Sequence, residues 1–518
     1  MLLPSPDSVT GAPSVLVKWR GDAHDFCEVH IGSRDQALSA DGWDSGVIRV
    51  PSGKALRTVW SRPSGDLQSG EAYYVFVRIH NANGWSDWSA RSRRFRVGGR
   101  FPTDVTVAAD GPGGQAHHSI CHNPVADEYL LAYGDSRPGE PSRNSYCILG
   151  TATGAMKDGA VTHAFASDAF GFYGLRGPLV AYNSVLNEYL LVFVGWVGEV
   201  SDGKFTPDLH DKVYGVRIRP GGEPKGQPQL LKEVPWLRAP ALAFSTHKPG
   251  EQSPPNVFLL AWQATRGGRN WPDDGSTRAF TIVPDGETGL KSGPIMDLSE
   301  EPALCANPRL AFNPDLDEFL VAFEMPREEQ GYSVDIVGQR VTTSGNLTGG
   351  NFDLVHERSW DTNGDLVYVP ELREYLQVYA GSNSVGSVWG QFLNGDGTKN
   401  GPRFIIQDSD HPGGWGPLVT WHPRRHEFLV SWCAQEEDFN FARRVSADGK
   451  MLCDPFRFTG NVVGRMGNFT PFPLANTRRD DYLICWHHTY DTVYTRRYAP
   501  PSGIRSPQSR SSGRGGRI

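Results

Sequence analysis

Along most of the chain, apolar and polar residues alternate over short runs that are separated by turn residues. That period belongs to half-buried β-strands, and no long amphipathic helical pattern accompanies it. One compound segment recurs. In Phe312-Asn313-Pro314-Asp315-Leu316-Asp317-Glu318-Phe319-Leu320-Val321-Ala322-Phe323, a polar turn leads into a strand that ends on an aromatic ring. Copies run from His122 to Tyr133, Tyr182 to Phe193, Tyr368 to Tyr379, Trp421 to Trp432 and Ala475 to Trp486, with a looser one from Ser245 to Trp262. Aligned on the ring that opens each strand (Tyr129, Tyr189, Phe258, Phe319, Tyr375, Phe428, Tyr482), they repeat every 53 to 69 residues or so, roughly the length of four short strands with one or two longer loops.

The rest of each unit fits this count. Alternating strands such as Val213-Tyr214-Gly215-Val216-Arg217 and Ile336-Val337-Gly338-Gln339-Arg340 follow the copies, and Gly-rich turns such as Gly395-Asp396-Gly397 then return the chain as a hairpin. A fourth short strand (Phe352-Asp353-Leu354-Val355, Phe404-Ile405-Ile406) precedes the next unit. A lone four-stranded meander leaves one apolar face wet, whereas a ring of meanders buries every face. The pattern therefore predicts an all-β fold with a seven-bladed β-propeller over residues 100 to 499. The last unit lacks a fourth strand, and Pro102-Thr103-Asp104-Val105-Thr106-Val107-Ala108 is the strand expected to complete it and close the ring.

Residues 1 to 99 do not carry the repeat. Val15 to Trp19, Phe26 to Ile31 and Ala72 to Ile79 alternate as strands of a separate β-sandwich. This region resembles a fibronectin type III domain. Trp19 stands where that family has its core tryptophan, and Leu67-Gln68-Ser69-Gly70-Glu71-Ala72-Tyr73 is similar to its tyrosine corner, with Ser69 in place of proline. Trp85-Ser86-Asp87-Trp88-Ser89 resembles the Trp-Ser-x-Trp-Ser box of cytokine-receptor versions, which implies a structural ladder of indoles and guanidinium groups. Arg78 is one expected rung, with Arg91, Arg93 or Arg94 as others, while Tyr74 and Phe76 interrupt the arginine alternation. Arg20-Gly21-Asp22 spells an integrin tripeptide but follows the second strand, where chance explains it better.

The repeat region resembles bacterial-type secreted propellers whose blades carry an Asn-Pro-x-x-(Asp/Asn)-Glu-Tyr-Leu segment and a Tyr-Gly-x-Arg strand. Asn123, Pro124, Glu128, Tyr129 and Asn313, Pro314, Glu318, Phe319 carry it most fully, and the third unit departs most. The likeness implies fold and little chemistry. The recurring carboxylates (Glu128, Glu188, Glu318, Glu374, Glu427, Asp481) are expected to bind backbone amides of the turns rather than to catalyse, and the terminal aromatics to pack blade on blade.

Composition narrows the functional classes. The 518 residues exceed one ordinary domain, and a net charge of −7 argues against nucleic acid as the main partner of the folded body. No apolar run approaches the roughly 18 residues of a membrane span. No export signal is visible, although the domain types favour an extracellular or cell-surface setting. The seven scattered cysteines read as buried thiols, with neither a disulfide framework nor a zinc site. Residues 500 to 518 form a Ser/Gly/Arg tail that should stay disordered alone and is the one stretch suited to nucleic acid.

Candidate chemistry is sparse, and no serine-nucleophile, metalloprotease, phosphate-loop or sialidase motif occurs. Asp361, Asn363 and Asp365 offer oxygens at alternate positions like a short calcium loop, but the remaining ligands are missing and a plain turn is expected; no other cofactor is implied. His117 and His118 in the first unit and His487 and His488 in the last would approach if the ring closes, with at most one from each pair able to meet. These features predict a non-enzymatic binding or assembly protein for a protein or glycan partner. The alternatives are a secreted polysaccharide-active lyase or glycosidase and a structural component of a filament or cell-surface assembly. Unrepeated His, Tyr, Arg or carboxylate groups converging at one channel mouth would favour the enzyme.

Overall fold

A computed structural model of the protein describes residues 8–10, 15–20, 24–35, 43–49, 56–61, 67–68, 71–89, 93–102, 105–110, 114–136, 144–151, 154–155, 163–165, 174–201, 204–246, 255–264, 275–300, 305–327, 333–356, 361–381, 386–407, 414–434, 439–459, 471–488 and 492–501. Among these, every element is a strand. The first hundred residues form two sheets. Strands Val15–Arg20 and Leu56–Ser61 pair in one, and the other is built on Phe26–Gly32, Ala72–Asn81 and Arg93–Val97. Between them lies a core of Val17, Trp19, Cys27, Val29, Leu67, Val75 and Phe95.

From Thr106 onward the strands make seven antiparallel meanders, six of four strands and one of five. Their first strands (Gly114–Asn123, Gly174–Asn183, Leu237–Phe244, Ala306–Asn313, Asp361–Val369, Gly414–His422, Phe472–Asn476) each pack against the next, and the last packs against the first, so the ring is closed. We number the blades 1 to 7 in that order.

The second strand of each blade shows why a ring forms. Tyr129, Leu131 and Tyr133 enter one inter-blade core while Leu130 and Ala132 enter the next, because successive side chains point to opposite faces. Both faces are therefore apolar and both need a neighbour. Each of the seven inter-blade cores holds one terminal aromatic: Tyr133, Phe193, Trp262, Phe323, Tyr379, Trp432 or Trp486. All are buried, and each such ring stabilises its interface by roughly 1.5 to 3 kcal/mol.

Blade 7 takes its outer strand from the other end of the chain. Thr106–Asp110 pairs antiparallel with Thr492–Tyr498, Val107 lying opposite Tyr494, and Ala108 enters the core between blades 7 and 1. The closing strand thus begins a few residues later than the sequence suggests. Just before it, Arg100 and Ala499 exchange backbone hydrogen bonds of 3.0 and 2.9 Å, and the Arg496 guanidinium lies 3.7 Å from the Phe101 ring centroid.

The polar turns correct one expectation. The asparagine, not the carboxylate, binds the amides of its own turn: Asn123 Oδ1 accepts from Val125 and Ala126, Asn183 from Val185 and Leu186, and Asn476 from Arg478 and Arg479, at 2.9 to 3.1 Å. The residue before each carboxylate (Asp127, Asn187, Asp317, Arg373, His426, Asp480) is left-handed, with φ from 49° to 58°. The asparagine Nδ2 reaches the following blade, from Asn123 to Asn187 Oδ1 (3.0 Å), from Asn183 to Asn256 Oδ1 (2.8 Å), and across the seam from Asn476 to Asp127 Oδ1 (3.1 Å).

The carboxylates turn instead to the third strand. Glu188 is gripped by Arg217 (2.5 and 3.0 Å), Glu427 by Arg444 (3.1 and 2.5 Å) and Asp481 by Arg497, which explains the arginine of the repeated strand. Where Leu149 replaces that arginine, Glu128 accepts from the Tyr189 hydroxyl and the Gly221 amide of blade 2, both at 2.9 Å. Where Phe392 replaces it, Glu374 has Asn400 at 2.8 Å, and burial raises its carboxyl above the ordinary range.

Glu427, fully buried, also accepts from Arg425 Nε (3.0 Å) and the Tyr482 hydroxyl (3.1 Å). Glu427→Gln would leave buried guanidinium groups without their counter-charge and should destabilise the protein by about 3 to 5 kcal/mol in urea unfolding. Glu374→Gln, whose partner is a neutral amide, should change it by less than about 1 kcal/mol.

Candidate functional site at the ring seam

The blade 1 inner strand is bulged between Ala116 and Ser119, and the bulge turns His118 into the core shared with blade 7. Every other inner strand with a mapped bulge has proline or glycine at that register position (Pro178, Pro240, Pro308, Gly364, Pro417). On the opposite wall, His487 follows Trp486 in strand Asp481–His488 and shares the face of Cys485. The two imidazoles meet with Nδ1 to Nδ1 at 2.8 Å, ring centroids 4.9 Å apart and planes at 82°. Both are buried, 6% and 2% exposed, and Phe472 lies edge-on to His118 at 5.1 Å.

An Nδ1 to Nδ1 hydrogen bond fixes the chemistry of the pair: one nitrogen donates and the other accepts, so at most one ring is doubly protonated. The pair can hold and share a proton inside the seam. The side chains of His117 and His488 lie outside the described residues. The contact joins His118 of the first pair to His487 of the second, and the signal that singles out His118 is its place where most blades have proline. Among the described residues no third ligand groups with the pair.

The other sequence candidates lie elsewhere. Asp361 and Asp365 belong to the blade 5 inner strand, so the stretch expected to be a turn is extended backbone. Asp365 Oδ2 accepts the Val419 amide of blade 6 at 3.0 Å, as Ser119 Oγ accepts that of Val180 at 3.1 Å, and burial pushes the Asp365 carboxyl up to about 6. Asn363's side chain, Gly21, Asp22, Arg91 and the tail from 502 fall outside the described residues. In the N-terminal sheets Arg78 sits between two indoles, 4.8 Å from the Trp85 ring centroid and 4.9 Å from that of Trp88, with Glu28 Oε2 at 2.5 Å. Ser86 Oγ and Ser89 Oγ accept the Ile79 and Val77 amides, at 3.1 and 3.2 Å. Trp88 also meets His30 edge-on at 6.3 Å, and His30 Nδ1 lies 2.7 Å from Asp44 Oδ1, while the side chain of Arg93 lies outside the described residues.

No protein-family profile matches the chain, and no curated protein does. Solved structures similar to it include a protein of unknown function from Dyadobacter fermentans DSM 18053, with 11% identity over 78% of this chain and 99% of that one (TM-score 0.43). A thermostable family-43 glycoside hydrolase shares 12% identity over 52% of this chain and 95% of its own (TM-score 0.33). Prolyl oligopeptidase B from Galerina marginata shares 10% over 83% and 55% (TM-score 0.40). Likenesses this distant carry no chemistry to this chain.

A double-mutant cycle tests the histidine contact. His118→Ala and His487→Ala should each cost about 2 kcal/mol, and their coupling should be about 1 kcal/mol, because the second substitution removes a partner already lost. Additive effects would show that the two rings do not interact.

Proposed function

We propose that the protein is a non-enzymatic binding or assembly component, in which a propeller with a fibronectin type III-like module presents loops and turns to a protein or glycan partner. The observation that carries this reading is the fate of the recurring carboxylates. These acidic groups, set at the same place in blade after blade, are engaged by arginine, tyrosine, threonine, asparagine or a backbone amide as part of the ring itself. The turns beside them expose aliphatic side chains instead, with Val125 64%, Leu186 42% and Leu316 46% exposed. Isolated exposed aliphatics are ordinary, but three at matching turns on one rim offer a partner a repeated foothold.

The module reading is supported by the Tyr73 hydroxyl, which accepts the Gln68 amide at 2.8 Å as a tyrosine corner does, and by the Arg78 ladder, which ties the box to its own sheet. A second reading, a secreted polysaccharide-active enzyme, is favoured by a feature of the seam: among the described residues the His118 and His487 contact has no counterpart in other blades. Its burial in the seam sets it behind the first.

Affinity capture with the full chain, run beside a glycan array, separates the two. The binding reading expects a reproducible protein or glycan ligand, retained after deletion of residues 502 to 518 and lost in a folded Val125→Asp, Leu186→Asp variant. Turnover of an array polymer that is abolished in a folded His487→Gln variant would establish the enzyme instead.

A further inference from the structure

At the end of blade 4, away from the seam, three potential ligands converge. Asp335 lies near the start of the third strand, Ser333–Thr342, and is fully buried. Asp353 lies near the end of the fourth, Leu347–Val355, and His356 follows that strand directly. One ligand atom from each lies within 4.8 Å of the others, and this is the one such His, Cys or carboxylate group found among the described residues.

Two facts separate the cluster from an ordinary surface ion pair. First, Asp335 Oδ2 is occupied, by His356 Nδ1 at 2.6 Å and Arg327 Nε at 3.1 Å, but its buried Oδ1 has no hydrogen-bond partner. Two residues back on the same face of the strand, the Ser333 hydroxyl, in a residue only 5% exposed, has none either. A buried carboxylate oxygen without a donor is costly, and a cation is the partner that relieves it. Second, the cluster is no part of the repeat. The positions matching Asp335 in the other blades are Asn144, Lys212, Ser276, Ser387, Phe439 and Thr492, none a carboxylate. The ring closes six other times without it.

We propose that Asp335, Asp353 and His356 form a divalent-metal site of the zinc class. Two carboxylates and one imidazole are a donor set that suits zinc, and three protein ligands leave a coordination position open. Asp353 and His356 are 41% and 46% exposed, so an ion can enter from solvent while Asp335 supplies the buried wall. Arg327, whose Nη2 also reaches Asp353 Oδ1 at 2.6 Å, is the resident cation that a metal must displace. The arginine therefore sets the affinity: it neutralises one of the two carboxylates and competes for both.

The test is calorimetric titration of zinc chloride into the full chain after chelator treatment and dialysis. One equivalent should bind. His356→Ala and Asp353→Asn, both at half-exposed positions, should each weaken binding at least about tenfold, the loss that even indirect metal partners produce. Arg327→Met should tighten it, and His487→Ala at the seam should leave it unchanged. Circular dichroism confirms that each variant is folded; Asp335→Asn is the less secure variant because its side chain is fully buried. The proposal is overturned if the wild-type chain takes up no stoichiometric zinc, or if uptake is indifferent to both His356→Ala and Asp353→Asn.

Discussion

Everything in the propeller follows from a strand whose two faces are both apolar. In each blade the second strand sends alternate side chains into two different cores, so no blade can satisfy itself and the chain must supply a neighbour on each side. Seven blades do this for one another only if the last meets the first. The contact between blades 7 and 1 is therefore the point on which the ring depends, and it has its own devices. It draws a strand from before blade 1, an asparagine that reaches across to Asp127, and a histidine pair that no other interface shows among the described residues.

The polar groups obey the same logic. Where a side chain recurs in blade after blade, the structure uses it for something every blade needs: asparagine for the turn, the carboxylate and arginine for the second and third strands, and tyrosine for the neighbouring blade. Groups that do not recur are free of that duty, and they are where specific function should be sought. Among the described residues, His118 with His487 and Asp335 with Asp353 and His356 are such clusters, and they lie in different blades.

Much of the architecture was legible because the repeat marks the residues that build it. The terminal aromatics announced seven interfaces, and the missing fourth strand of the last unit pointed to the segment near Val107. The carboxylate was misread as the binder of the turn because its true partner, an arginine such as Arg217 or Arg444, stands on a later strand whose register no local pattern reveals. Asp361 to Asp365 looked like a turn because glycine and acidic residues crowd together, yet the bulged inner strand needs Gly364 there: a side chain at that position would meet Pro417 and Val378 at 2.6 Å. The Asp335 cluster left no sequence signal, since Asp335 stands on the third strand of the blade while Asp353 and His356 stand at the end of the fourth, and they converge only through pairing across the sheet.

Hydrogen exchange on the intact chain, read by mass spectrometry, tests the closed ring most directly. If Thr106–Asp110 is the outer strand of blade 7, amides there and in Thr492–Tyr498 should exchange slowly and together, at rates like those of the outer strands of other blades such as Leu347–Val355. Rapid exchange of 106 to 110 while Asp481–His488 stays protected would contradict the account, because the ring would then be standing without the strand that is said to close it.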